Sequence, residues 1–187
     1  MCGQSLQTLE IATENIVYST EKDKAYYQEG IEQVEPYLLS KELYYPISAR
    51  TTDLTQLTLG GLLLTRARLG RTPGLGALDS RLDSVRAKWR SAWDAKARRE
   101  VRARSELWKD YLSEVRHDRR GAARQYSQNV RHRVIIALLG ETSDLMDNYV
   151  RSILVPGAFV WDGSLQGNFP PPDFWFLYGS LSLEEKA

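Results

Sequence analysis

A single apolar stripe through the middle of the chain constrains the fold more than any other feature. From Leu78 to Val115, eleven positions follow one another at steps of three or four residues, and ten of them are apolar. The mean step of about 3.7 residues is that of one helix face and is incompatible with a strand, whose side chains alternate with a period of two. No proline or glycine interrupts residues 77–120. The stripe, called the seam below, therefore predicts one long amphipathic helix over 78–117, and a break near residues 104–107 is the alternative that would keep the chain compact. The seam positions are Leu78, Leu82, Val85, Trp89, Trp93, Ala97, Val101, Arg104, Trp108, Tyr111 and Val115.

Shorter helical patterns lie on both sides of this helix. A glycine pair, Gly60-Gly61, falls inside one of them and indicates the close approach of a neighbouring helix. Another should stop before Pro36, because the residue before a proline is pushed out of the α region. We therefore expect an all-α bundle of five to six helices, dominated by an antiparallel pair over 78–117 and 122–141. The other helices are predicted at about 5–18, 20–35, 53–69 (with Asp53 as the N-cap and Gly70 as the stop) and 143–154.

The C-terminal segment has a different character from the rest of the chain. It is rich in aromatic residues, glycine and proline, and its run Pro170-Pro171-Pro172 forbids a helix there. We predict an irregular aromatic strap packed on the helices. The expected divisions of the chain, within one domain overall, are an acidic helical segment (1–70), a linker (71–77), the long basic helix with its return helices (78–154) and the strap (155–187).

Charge is strongly segregated along the chain, although the formal net charge is only +1. The formal charges of the side chains sum to −5 over 1–65, to +11 over 66–133 and to −5 over 134–187. Such asymmetry indicates either an anionic partner or acidic ends that lie against the basic middle. The sequence leaves both interpretations open.

The basic residues of the middle segment predict a binding face for nucleic acid or for an acidic protein partner. Those on the long helix cluster on one side of a helical wheel, away from the late part of the seam, and arginine suits phosphate and carboxylate alike. No helix-turn-helix, zinc-finger or RNA-binding aromatic motif accompanies them. The candidate binding residues are Arg98, Arg102, Lys109, Arg116, Arg119, Arg120, Arg124 and Arg131.

Tryptophans on the seam and in the strap are candidate interface anchors, because tryptophan is a preferred anchor where it is exposed. A helix of this length also exceeds what the core of one small globule needs. The first functional hypothesis is therefore a non-catalytic scaffolding protein that forms a homodimer along the long helix. Nucleic-acid binding is the alternative, and an enzyme or small-molecule binder with a pocket under the strap is the second alternative. The candidate interface aromatics are Trp89, Trp93, Trp108, Trp161 and Trp175.

No catalytic residue, metal or cofactor is predicted. The glycine-rich segment 70–76 lacks the Lys-Ser/Thr of a phosphate-binding loop and the third glycine of a dinucleotide fingerprint. The only two histidines, His117 and His132, are flanked by arginines, which disfavour a divalent cation. The lone cysteine, Cys2, permits no internal disulfide, and no apolar run is long enough to span a bilayer. With no secretory signal in the first residues, we expect a cytoplasmic protein without membrane attachment.

Overall fold

The computed structural model describes the backbone of residues 4–51, 54–140, 159–161 and 181–183, and the side chains of 20–51, 54–118 and most of 121–140. Within these residues the chain is all-α, as predicted, with six helices and two small antiparallel pairs of strands. The elements are α1 (Gln4–Leu39), β1 (Tyr45–Pro46), β2 (Gln56–Leu57), α2 (Leu59–Leu69), α3 (Gly76–Lys88), α4 (Arg90–His117), α5 (Arg119–Arg124), α6 (Tyr126–Gly140), β3 (Phe159–Trp161) and β4 (Leu181–Leu183).

By its internal contacts the chain divides into two compact units, Met1–Trp93 (unit 1) and Asp94–Ala187 (unit 2). The division lies near the start of α4. Each unit has a hydrophobic core of its own. None of the described helices is both long enough and apolar enough to cross a bilayer.

Helix α1 is one continuous helix, so the two predicted breaks, near residue 19 and before Pro36, are wrong. A proline inside a helix leaves the carbonyl four residues earlier without its partner. Glu32 and Pro36 both lie on the exposed side of α1, where water can satisfy that carbonyl. The opposite face is buried from Tyr26 to Leu38 and packs on α2 and α3.

Helix α2 begins later than predicted. Its N-cap is Thr58, whose hydroxyl accepts the backbone N–H of Gly61 at 2.9 Å, and the preceding Gln56–Leu57 pairs with β1. The predicted cap, Asp53, lies outside the described residues. The predicted stop is confirmed, because Gly70 ends the helix with φ +52°, a conformation that favours glycine.

The close approach predicted at the glycine pair is confirmed at Gly61. A Cβ atom on this residue would lie 2.6 Å from the hydroxyl oxygen of Tyr26 on α1. That hydroxyl is fixed in place, because it donates a hydrogen bond to the Gln56 carbonyl at 2.8 Å. The absence of a side chain at Gly61 therefore sets how closely α2 packs on α1.

The single helix predicted over 78–117 is interrupted at Trp89, which separates α3 from α4. Local sequence gives no reason for a break there, since proline and glycine are both absent. Tertiary contacts lie at the break. Lys88 Nζ and Trp89 Nε1 both donate hydrogen bonds to the carboxylate of Glu35 on α1, at 2.7 and 2.6 Å. Beyond it, α4 is uninterrupted for 28 residues.

In unit 2, the predicted return helix over 122–141 is two helices, α5 and α6, separated by a turn at Gln125. Asp118 caps the N-terminus of α5, because its carboxylate accepts a hydrogen bond from the backbone N–H of Gly121 at 3.0 Å. The antiparallel course is confirmed, because successive residues along α4 contact progressively earlier residues of α6 and α5. The contacting pairs are Arg104 with His132, Trp108 with Tyr126, and Tyr111 with Ala122.

Most of the predicted strap lies outside the described residues, as does the helix predicted over 143–154. The described parts of the strap are β3 and β4, which pair in antiparallel fashion with Val160 opposite Ser182. Strand β4 also lies against α5.

Candidate nucleic-acid interface

Helix α4 has a buried face and an exposed face with different chemistry. The buried face is the seam, and its members in unit 2 are all covered by the chain itself, with Ala97 and Val101 completely inaccessible. The exposed face carries four of the candidate basic residues, called the arginine stripe below. They are Arg98, Arg102, Lys109 and Arg116, all of them exposed.

The arginine stripe is narrow and long. Its members are separated by four, seven and seven residues, which places them within roughly 40° of one another around a helix of 3.6 residues per turn. From Arg98 to Arg116 the stripe extends about 27 Å at 1.5 Å per residue. One helix thus presents four cations in a nearly straight line.

Among the described residues, the arginines of the stripe have no carboxylate partner. Within the described part of the chain, no ion pair engages Arg98, Arg102 or Arg116, whereas Lys109 lies 3.6 Å from Glu106. Asp94, which precedes Arg98 by one helical turn, therefore forms no ion pair with it. Exposed i,i+4 pairs contribute only a few tenths of a kcal/mol, too little to hold two long side chains together.

An acidic row runs beside the arginine stripe in the second half of α4. It consists of Glu106, Asp110 and Glu114, and the last two are exposed. The row begins roughly 60° around the helix from the centre of the stripe. The positive surface is thus bounded by negative charge along one edge.

The other candidate basic residues lie outside α4. Arg124 on α5 is exposed and Arg131 on α6 is half-buried, while only the backbone of Arg119 and Arg120 is described. Arg133, two residues after Arg131, is also half-buried, and burial lowers its pKa to about 10. The exposed cations described on unit 2 are therefore concentrated on α4.

The seam tryptophan of unit 2 is buried and not available to a partner. Trp108 packs against Tyr111 and Tyr126 with ring centroids 5.5 and 6.4 Å away, and only 4% of Trp108 is exposed. The Tyr111 hydroxyl donates to the Ala122 carbonyl at 3.0 Å, and burial raises the pKa of Tyr111 to about 12. This aromatic cluster joins α4 to α5 and α6.

A buried polar group beside the seam was not predicted as a site. Arg104 Nη2 lies 3.3 Å from the Glu100 carboxylate one turn earlier, and its Nη1 donates to Nδ1 of His132 at 3.2 Å. Lys96 is buried on the same side of α4. Burial, with the nearby charges of Arg104 and Arg131, lowers the pKa of His132 to about 4, so His132 is neutral at pH 7. The steps of four from Lys96 to Arg104 are visible in the sequence, but their burial is not.

The other candidate aromatics differ in their surroundings. Trp93 is buried, with the Arg86 guanidinium 5.3 Å from its ring centroid, and Trp89 is half-buried beside Glu35 and Lys88. Only the backbone of Trp161 is described, in β3, and Trp175 lies outside the described residues.

Part of the charge segregation is neutralised inside unit 1. Two carboxylates of the acidic block 1–65 form ion pairs with cations of the basic block 66–133. Asp23 pairs with Arg68 at 2.8 Å, and Glu35 pairs with Lys88 at 2.7 Å. A third carboxylate, that of Glu29, accepts the backbone N–H groups of Ser48 and Ala49, and these bonds lower its pKa. These three carboxylates thus have partners within their own unit.

Within the described residues, no three His, Cys, Asp or Glu side chains come together as a metal site would require. Comparisons of the chain with protein-family models, with curated proteins and with solved structures find no match.

Proposed function

We propose that the protein binds nucleic acid through the arginine stripe of α4. The observation that carries the proposal is the exposure of four aligned cations, three of which have no carboxylate partner within the described part of the chain. Cations displayed in this way attract a polyanion and release its condensed counterions on contact. The planar guanidinium also matches the geometry of phosphate oxygens.

Burial of the seam favours this proposal over a homodimer built on the same helix. A helix-to-helix dimer needs an apolar core at its interface, and tryptophan is a preferred anchor there. Trp93 and Trp108 instead pack inside a single chain. On the exposed face of α4 the only large apolar side chain is Leu107. Self-association stays a prediction, and so does a pocket under the strap.

The test is a charge reversal of the stripe. We expect the triple variant Arg98→Glu, Arg102→Glu and Arg116→Glu to bind a mixed-sequence duplex at least about 100-fold more weakly at about 100 mM salt, because attraction to phosphate becomes repulsion. Fluorescence anisotropy with a labelled duplex measures the affinity. A thermal unfolding curve should stay close to that of the unmodified protein, because the three side chains are exposed.

A matched triple variant separates the stripe from the effect of net charge. Arg50→Glu, Arg71→Glu and Arg81→Glu change the charge of the chain by the same amount, at exposed arginines of unit 1. We expect these substitutions to weaken binding much less. Equal losses in the two triple variants, or no binding by the unmodified protein at low salt, would rule out the stripe as a nucleic-acid interface. Light scattering on the same samples shows whether the stripe instead pairs with a second copy, in which case the first triple variant lowers the mass.

A further inference from the structure

We infer that the ligand of the arginine stripe is a duplex, contacted along the phosphates of one strand and without readout of its bases. The inference rests on the proposed function and specifies its ligand. Three features of α4 lead to it: where its aromatic residues lie, what borders the stripe, and which side chains make up the stripe.

The aromatic residues of α4 argue for a duplex over a single strand. Proteins that bind single strands offer exposed aromatic side chains on which the unstacked bases lie. All three aromatic residues of α4, Trp93, Trp108 and Tyr111, are buried. A surface that offers charge alone gains most from a duplex, whose phosphates are already ordered and carry the higher charge density.

The acidic row argues against insertion of α4 into the major groove. A helix in that groove lies between two phosphate backbones, since the groove is only about 12 Å wide. With the stripe on one backbone, Asp110 and Glu114 would turn toward the bases or the other backbone, where negative charge is disfavoured. Contact with a single strand from outside the groove keeps the acidic row in solvent.

The composition of the stripe suits phosphate contacts, and its arginines reach no guanine edge if the acidic row keeps α4 out of the groove. It contains three arginines and one lysine, and no asparagine or glutamine occurs anywhere in α4 to pair with adenine. Phosphate contacts fix a protein on the duplex but carry no sequence information. We therefore expect affinities for unrelated duplex sequences of one length to agree within about threefold.

The first test is the salt dependence of duplex binding by the full chain. Four phosphate contacts predict a slope of log affinity against log salt of about −3.6. Arg102→Gln should reduce the magnitude of that slope by about 0.9, because it removes one contact. The matched variant Arg81→Gln, at an exposed position on α3, should leave the slope unchanged.

The second test removes the negative border. We expect Asp110→Asn with Glu114→Gln to tighten duplex binding about twofold at low salt, since the two charges removed lie roughly 15 Å from the contacted phosphates. The slope should not change, because no phosphate contact is added. Asp83→Asn, an exposed carboxylate on α3, is the control and should have a smaller effect.

The outcomes separate this inference from the proposed function. If the protein binds neither a duplex nor a single strand, both the inference and the proposed function are overturned. Binding that depends on the stripe but favours a single strand, varies more than tenfold with base sequence, or is unaffected by neutralising the acidic row would leave the proposed function standing and overturn the inference.

Discussion

Gly61 leaves no room for a side chain, because a Cβ atom there would lie 2.6 Å from the Tyr26 hydroxyl oxygen, which is held by its bond to the Gln56 carbonyl. We expect Gly61→Ala to lower the free energy of unfolding by about 1–2 kcal/mol, because the new methyl group would displace the Tyr26 hydroxyl from its bond to Gln56. Urea denaturation measures the change. The control is Gly76→Ala, since nothing lies within 4 Å of that Cβ position. Equal stability losses in the two variants would contradict the packing argument.

His132 makes stability depend on pH. Its imidazole has a pKa of 6.5 when unperturbed and of about 4 when buried in the folded protein, so between these values the unfolded chain binds more protons. Stability should therefore fall as the pH drops below 6.5, by up to about 3 kcal/mol once the pH reaches 4. Urea denaturation from pH 7 to pH 5 follows most of this change.

The control for this prediction is His132→Gln, which keeps an acceptor for Arg104 and cannot take up a proton in this range. We expect the variant to lose most of the pH dependence between pH 7 and pH 5. A pH profile as steep as that of the unmodified protein would show that another group is responsible.

At the scale of elements, the start of α2 depends on one hydroxyl. We expect Thr58→Ala to be less stable than Thr58→Ser by about 1 kcal/mol, because only serine can still accept the N–H of Gly61. Comparison of these two variants isolates the hydroxyl, since both lack the buried methyl group of threonine. Thermal or urea unfolding measures the difference, and identical stabilities would refute the assignment of the cap.

The elements also show what sequence periodicity can and cannot predict. The seam of α4 is buried as its spacing predicts, because burial of one face follows directly from the helical period. The interruption at Trp89 was missed because its contacts are with Glu35, 54 residues away in the chain. Pro36 led to the opposite error, since a proline is compatible with a helix where the carbonyl that it leaves unpaired faces water.

The same limit applies to the candidate interface. A helical wheel predicts that Arg98, Arg102, Lys109 and Arg116 share one side of α4, and the structure places them there. Whether carboxylates cover that side depends on tertiary structure, which periodicity does not contain. The burial of Lys96 and Glu100 was missed for a related reason, because charged residues are assumed to be exposed unless a partner is known. Arg104, in contrast, occupies a position of the seam itself and is buried with it.

At the scale of the whole molecule, stability and ligand binding should respond differently to salt. Raising the salt concentration tenfold should weaken duplex binding by three to four orders of magnitude, roughly, if four phosphates are contacted. The melting temperature should change by only a few degrees, because both cores are apolar and the Asp23 carboxylate of the Asp23–Arg68 pair is buried, which limits screening. Anisotropy and calorimetry in the same buffers test this. A parallel loss of stability and binding would mean that salt acts on the fold.

The seam and the arginine stripe share one helix but no side chain. Substitutions that affect the core therefore fall on one set of positions in α4, and substitutions that affect the proposed binding surface fall on another. A lineage could exchange the stripe arginines for neutral or acidic residues by single substitutions and keep the same architecture. Descendants of such a chain would superimpose closely and yet bind different partners, so resemblance in fold alone would be a poor guide to what each one does.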